Sequence, residues 1–190
     1  TLARWGPGRR RRSWASWGSE TAELLFEDCR IHRSQMLGKE NEGFKQFMQI
    51  LDGGRISIAA MALGLAQGAL DEAVEVVRED KALRRDQIVT FKIADIATRI
   101  EAARQLSYEA ARLKDEGRPY TQEAAMAKLY AGEVGTWAAA EVMGVLGVDA
   151  LERGRLQVER FWRDARLCEI GEGTNEVQKL VIGRRLLRSR

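Results

Sequence analysis

The stretch Ile56-Ser57-Ile58-Ala59-Ala60-Met61-Ala62-Leu63-Gly64-Leu65-Ala66-Gln67-Gly68-Ala69-Leu70 decides the fold. It is the longest apolar run in the chain, but Ser57, Gly64, Gln67 and Gly68 interrupt it, and it is shorter than the roughly 20 residues that a bilayer-spanning helix needs. A buried helix accounts for it instead. The same periodicity extends in both directions: Phe47, Ile50, Leu51, Ile58, Met61, Ala62, Leu65, Ala69, Ala73, Val76 and Val77 recur at spacings of three and four. This predicts one long helix from Phe44 to about Asp80, with a break or kink at Gly53-Gly54. Small residues at Ala59, Ala60, Gly64 and Gly68 leave room for a neighbouring helix to come close.

Toward the C-terminus the helical spacing returns three times. Ile88, Phe91, Ile96, Ile100, Ala103, Leu106 and Leu113 predict a helix from about Gln87 to Asp115, stopped by Gly117-Arg118-Pro119. Thr121 reads as the N-cap of a third helix reaching about Val145, with Gly144-Val145-Leu146-Gly147 as its C-terminal cap. The charged cluster 159–166 reads as a short helix or turn with a solvated face, and a last helix runs from about Thr174 to Leu187. With only Pro7 and Pro119 to break helices, the fold class is all-α, an up-and-down four-helix bundle. Toward the N-terminus, 1–18 reads as an irregular basic tail, 19–43 as an extended segment and linker, and 44–190 as the helical domain. Within the extended segment, Thr21 to Ile31 reads as a strand, with a helical turn as the alternative.

Charge and cysteine usage narrow the function classes. Five arginines and no acid lie in 1–18, so a formal charge of +3 becomes −2 over the remainder, and no structured basic face for nucleic acid is expected. The Arg9 to Arg12 run with Trp5, Trp14 and Trp17 is the one candidate phosphate contact. Cys29 and Cys168 have no paired spacing and His32 is the sole histidine, which argues against a zinc site, a Cys-His nucleophile or a disulfide scaffold and suits a reducing compartment. The acid-free beginning has the composition of an organelle presequence without its amphipathic pattern.

The most distinctive chemistry lies at Ile170-Gly171-Glu172-Gly173-Thr174-Asn175-Glu176-Val177-Gln178. One carboxylate sits between two glycines, which allow close approach and unusual backbone angles, just before a Thr174 N-cap. A base beside a helix N-terminus is one reading, and a surface turn with an incidental glutamate is the other. Asp52-Gly53-Gly54-Arg55 likewise reads either as part of a site or as a solvated ion pair.

These stretches together resemble the C-terminal half of the acyl-CoA dehydrogenases, most of all the short-chain, butyryl-type members. The resemblance covers about 19–188. It rests on 19–30, Leu51-Asp52-Gly53-Gly54-Arg55, 62–69, Phe91-Lys92-Ile93-Ala94-Asp95, 123–129, 159–166 and Glu172-Gly173-Thr174, in matching order and spacing. It implies an FAD-dependent α,β-desaturation of an acyl-CoA thioester, with Glu172 as the base that removes the α-proton. It further implies that Asp52, Arg55, Gly173 and Arg184 bind substrate, and that Gln87, Glu141, Gly144, Thr174, Asn175 and Glu176 contact FAD, some across a subunit interface. An acceptor of the electron-transfer flavoprotein type, a homo-oligomer, and a bacterial cytoplasmic or mitochondrial matrix location follow from the same likeness, with neither nucleic acid nor a membrane span.

Some family members carry the base immediately before the Asp-x-x-Arg arginine. That position is Gly54 here and cannot serve. The sequence also departs from the family in the segment Asp80-Lys81-Ala82-Leu83-Arg84-Arg85-Asp86, where an FAD-binding Arg-x-x-Phe-Gly-x-Pro is usual. At Glu141 an acid replaces an amide and is expected to repel a flavin diphosphate. Most of the family's middle β-domain has no counterpart in 1–18, and 19–43 resembles a remnant of it. The alternative function is therefore a helical-bundle homologue that assembles without binding FAD.

Overall fold

Alanine and glycine, more than any large side chain, set how the helices meet. A computed structural model describes residues 4–11, 15, 21–152 and 154–188, and of 4–11 and Thr21 it describes the backbone alone. Their contacts divide into two units, one ending at Ile50 and the other beginning at Leu51.

In the first unit β1 (Arg4–Arg11) pairs antiparallel with β2 (Thr21–Glu27), from Arg4 opposite Glu27 to Arg11 opposite Thr21. The strand reading of 21–31 holds for its first part. The irregular reading of 1–18 does not hold for Arg4–Arg11, because β2 supplies the backbone partners that an isolated tail lacks. The register slips between Pro7 and Arg10, where proline has no N–H to give. Apart from Ala15, the rest of that expected tail, including Trp14 and Trp17, lies outside the described residues. Two strands cannot enclose a core, so Leu24, Leu25 and Phe26 are exposed. The Gln46 carboxamide donates to the Leu37 carbonyl at 3.1 Å and ties the loop to the start of α1 (Gly43–Glu79).

In the second unit α1 continues without interruption, so the break expected at Gly53-Gly54 is absent. Neighbouring groups occupy the space those glycines leave, and packing outweighs the roughly 1 kcal/mol that each glycine costs a helix. The segment at Asp80 forms a short α2 (Lys81–Arg85), with the Asp80 carboxylate accepting from Ala82 N and Leu83 N. Asp86 caps α3 (Gln87–Asp115) in the same way. After α3, Gly117 adopts φ +67° and Arg118 N–H donates to the Leu113 carbonyl, the glycine stop expected from the sequence. The N-cap of α4 (Thr121–Leu146) is Tyr120 rather than Thr121, and no side chain caps the helix. α5 (Val158–Cys168) and α6 (Asn175–Leu186) complete the bundle.

Contacts give the helix directions. Gly53 faces Lys114 and Gln67 bonds Arg104, so α1 and α3 are antiparallel; Lys92 meets Glu141 and Arg99 lies over Trp137, so α3 and α4 are too. α5 runs back along α1, with Phe161 at Gly68 and Gln157 N–H donating to the Glu72 carboxylate at 2.8 Å. This is the up-and-down all-α bundle expected from the periodicity. Its core includes Ala59, Ala62, Ala66, Ala69 and Ala73 of α1 and Ala124, Ala127, Ala131 and Ala138 of α4, all fully buried, and the two helices meet in a seam at Ala62 and Gly135. A Cβ added at Gly135 would lie 3.2 Å from the Ala62 carbonyl oxygen. The cluster 159–166 is not the solvated face expected, because Glu159 and Arg163 pair at 2.8 Å with side chains only 17% and 12% exposed, and Ala165 is in the core. Among the described residues no helix is long and apolar enough to cross a membrane.

One glycine at the seam and one away from it are expected to respond in opposite directions. Gly135→Val is expected to cost about 1–3 kcal/mol by forcing α4 off α1. As a control away from the seam, Gly64→Ala, at an open position of α1, is expected to add about 0.5–1 kcal/mol. Denaturant midpoints of the two variants read out both effects, and equal shifts would contradict the packing.

Candidate active site

The turn carrying Glu172 joins α5 to α6, and its backbone is closed on itself. Ile170 N–H and Gly171 N–H both donate to the Leu167 carbonyl, and Asn175 N–H reaches back to the Glu169 carbonyl at 3.0 Å. Gly173 adopts φ +93° as the sequence suggests, but Gly171 does not take a left-handed angle; Glu172 itself does, at φ +55°. That conformation costs a residue with a Cβ about 1–2 kcal/mol. Two hydrogen bonds offset it at about 1 kcal/mol each: the Gln178 carboxamide donates to the carbonyls of Glu172 at 3.2 Å and Gly173 at 2.9 Å. Thr174 is the N-cap of α6, accepting from Val177 N–H.

The Glu172 side chain reaches α1 at Gly54. A Cβ built on Gly54 would lie 2.5 Å from Glu172 Oε2, so the carboxylate occupies the space that any other residue would fill. The two positions at which the family resemblance places a base therefore converge on one point. Beside Gly54, Arg55 is 4% exposed and its guanidinium meets Asp52 Oδ1 at 2.5 Å, while the Thr121 hydroxyl donates to Asp52 Oδ2 at 2.6 Å. The pair is thus not the solvated one that the sequence also allowed. Thr121 is spent on Asp52, which explains why it does not cap α4. Arg55 Nε and Glu172 Oε2 are both buried without a hydrogen-bond partner, an arrangement that costs about 1–3 kcal/mol per group and leaves one donor and one acceptor unsatisfied.

The other predicted residues separate into groups. Asn175 is buried, 6% exposed, and its Oδ1 accepts from Lys128 Nζ at 3.1 Å. Glu176 is exposed at the start of α6; hydrogen bonds from its own backbone N–H and the Thr174 hydroxyl hold its carboxyl below the usual range. Arg184 is exposed in the last turn of α6. Gln87, Glu141 and Gly144 lie where α3 begins and α4 ends, about 20 Å along α4 from Lys128. Glu141 is not an unopposed acid: Lys92 Nζ lies 2.6 Å from its Oε2, and a Cβ at Gly144 would be 3.7 Å from the same ammonium.

The sequence reading singled out neither Lys128 nor Gln178, both fully buried. Burial pushes the Lys128 ammonium below its ordinary pKa, and Nζ donates to the Glu169 carbonyl at 2.9 Å. Burial also pushes the neighbouring Cys168 thiol up to about 11. The available signal for Lys128 was its position: a lysine on the otherwise apolar Ala124, Ala125, Ala127, Ala131 face of α4. Among the described residues no group of His, Cys, Asp and Glu could hold a metal ion.

Comparison with known proteins follows this geometry. The family described as "Acyl-CoA dehydrogenase, C-terminal domain" matches residues 41–187. A probable acyl-CoA dehydrogenase of Bacillus subtilis is 49% identical over 175 residues, covering 90% of this chain and 46% of that protein. The mitochondrial short-chain specific acyl-CoA dehydrogenase of Homo sapiens is 48% identical over 176 residues, covering 90% and 42%. The structure of butyryl-CoA dehydrogenase from Megasphaera elsdenii superposes with a TM-score of 0.95 at 42% identity, covering 97% of this chain and 49% of that one. The chain spans about half the length of the curated relatives it matches.

Gly54→Ala is expected to leave stability within about 1 kcal/mol, since a helix gains roughly that from alanine while the atoms displaced most, the Glu172 carboxyl group, end a flexible side chain. The carboxyl-carbon NMR resonance of Glu172 should nevertheless move, and an unchanged resonance would contradict the contact. A thiol reagent at pH 8 should label Cys29 in the folded chain and reach Cys168 only in denaturant, as its burial and raised pKa require.

Proposed function

The chain belongs to the acyl-CoA dehydrogenase family, in its C-terminal domain, and from that premise we propose that it carries the base-bearing half of an FAD-dependent desaturase of acyl-CoA thioesters. The observation that supports this best is the Glu172 carboxylate, pressed against Gly54 with a buried and unpartnered oxygen. FAD, when bound, supplies the two-electron acceptor for the β-hydride.

The rest falls to the chain's own side chains. Glu172 takes the α-proton at its carboxylate as the Cα–Cβ double bond forms, which a carboxylate can do only if the developing enolate is stabilised. Asp52, held by Thr121, fixes the Arg55 guanidinium beside the base, where its free Nε–H can meet a polar atom of the substrate. Gly173 keeps the chain thin beside the carboxylate. Arg184, exposed and cationic, suits the phosphate end of CoA.

For the cofactor, Lys92 neutralises Glu141 and stands near Gly144, so the end of the α3–α4 pair keeps a cation that fits a diphosphate. Gln87, Glu141 and Gly144 would hold the cofactor there, and Thr174, Asn175 and Glu176 would hold it near the base. The separation between the two groups along α4 suits an extended dinucleotide or contacts to two copies of it. Exposed Ile88 and Phe91 on α3 and Leu180 and Leu187 at α6 support a homo-oligomer. An electron-transfer flavoprotein-type acceptor and a bacterial cytoplasmic or mitochondrial matrix setting complete the reading.

A second reading, assembly without flavin, is favoured by one observation: a carboxylate, Glu141, stands where the family carries an amide. Visible absorption of the purified chain, alone and after adding FAD, separates the two. Flavin uptake supports the desaturase, and its absence favours the assembly role. In flavin-loaded protein, Glu172→Gln should slow bleaching by a short-chain acyl-CoA about 10²–10⁴-fold, the range of a general base. Bleaching at the native rate would sink the role given to Glu172.

A further inference from the structure

We propose that Lys128 is a positioning residue for Glu172, its buried ammonium strapping the 169–175 turn to α4 so that the carboxylate is delivered to Gly54. The inference rests on reading Glu172 as the base.

The strap is visible in the hydrogen bonds. Lys128 Nζ donates to the Glu169 carbonyl at 2.9 Å and to Asn175 Oδ1 at 3.1 Å. Glu169 and Asn175 are the two ends of the turn, and they are already joined, because Asn175 N–H donates to that same carbonyl at 3.0 Å. One ammonium therefore grips both ends at the point where they meet. From the other side, the Gln178 carboxamide holds the middle through the Glu172 and Gly173 carbonyls. A turn pinned at its ends from α4 and at its centre from α6 has little freedom left for the residue between.

The surroundings agree. Gly132, one helical turn beyond Lys128, lets the turn lie flush on α4: a Cβ there would be 3.2 Å from the Cys168 carbonyl oxygen and 3.6 Å from Asn175 Oδ1. Any side chain at that position would lift the turn and carry Glu172 away from Gly54. Lys128 is 0% exposed, and burying an ammonium is unfavourable enough that its pKa is pushed down. An apolar side chain of similar length would fill the space more cheaply, but it could not satisfy a carbonyl and an amide oxygen together. Among the described residues the hydrogen bonds of the ammonium go to this turn rather than to the seam between the long helices. Its role is therefore local.

Residue-resolved hydrogen exchange on the full chain tests this without flavin or turnover. In Lys128→Met the Asn175 amide should exchange about tenfold faster or more, while Ile96, Ile100 and Val142 in the core keep their protection. Unchanged exchange at Asn175, or an equal acceleration of the core amides, overturns the strap.

Should Lys128→Met not fold, Asn175→Asp and Asn175→Leu decide instead. The aspartate keeps an acceptor for the ammonium and should retain native exchange at that amide, the leucine should lose it, and equal rates overturn the proposal. In flavin-loaded protein, Lys128→Met should slow acyl-CoA bleaching by up to about 100-fold, as a misplacement near 1 Å does, with the half-saturating acyl-CoA concentration unchanged. Lost protection with a native bleaching rate would overturn the positioning role. Native bleaching in Glu172→Gln would remove the base and leave the exchange result standing, so the two failures are distinguishable.

Discussion

A carboxylate can lie against the backbone of a helix only where that helix lacks a side chain, and Gly54 provides this for Glu172. Much of the second unit is consistent with that contact. α1 stays unbroken through two glycines because neighbouring groups fill the space they leave. The Asp52–Arg55 pair is buried beside it and anchored by Thr121 at the start of α4, so two of the long helices are tied together at the level of Glu172. The alanine seam lets α1 and α4 approach closely enough for these short polar bonds to form.

Electrostatics in the bundle are mostly local. The Lys92–Glu141 pair joins two helices, and of the pairs made within one helix Asp52–Arg55 and Glu159–Arg163 are covered, whereas those of Arg112 with Glu109 and Glu116 are about half exposed and contribute little. The Lys92–Glu141 pair changes what an acid means at that position. A lone carboxylate would repel a phosphate, but a paired one presents a nearly neutral surface with a cation within reach.

The helices were legible wherever one face is apolar and both ends carry punctuation. α3, bounded by Asp86 and Gly117, and α6, begun by Thr174, match their expected limits to within a residue or two. What escaped the sequence depended on contacts distant along the chain. Gly53-Gly54 looks like a break because local propensity cannot register the Glu172 carboxylate. Thr121 looks like a cap because nothing nearby shows that Asp52, 69 residues away, takes its hydroxyl. Arg4–Arg11 looks irregular because a strand's bonds belong to its partner. The charged cluster in α5 looks solvated because an i,i+4 pair reads alike whether covered or open. Glu172 itself was legible as chemistry; the left-handed backbone that aims it, and the lysine beneath, were not.

The closed turn from 169 to 175 bears on when order is acquired. Its ends meet through bonds made within seven residues and through a lysine already fixed on α4, so closing it removes little chain entropy beyond what forming α5 and α6 removes. That ordering belongs to folding, before any substrate arrives. Under the proposed desaturase reading, a base held on such a ring would meet each new thioester without first searching for its place, and the conformational part of the barrier would fall on the molecule's birth rather than on every turnover.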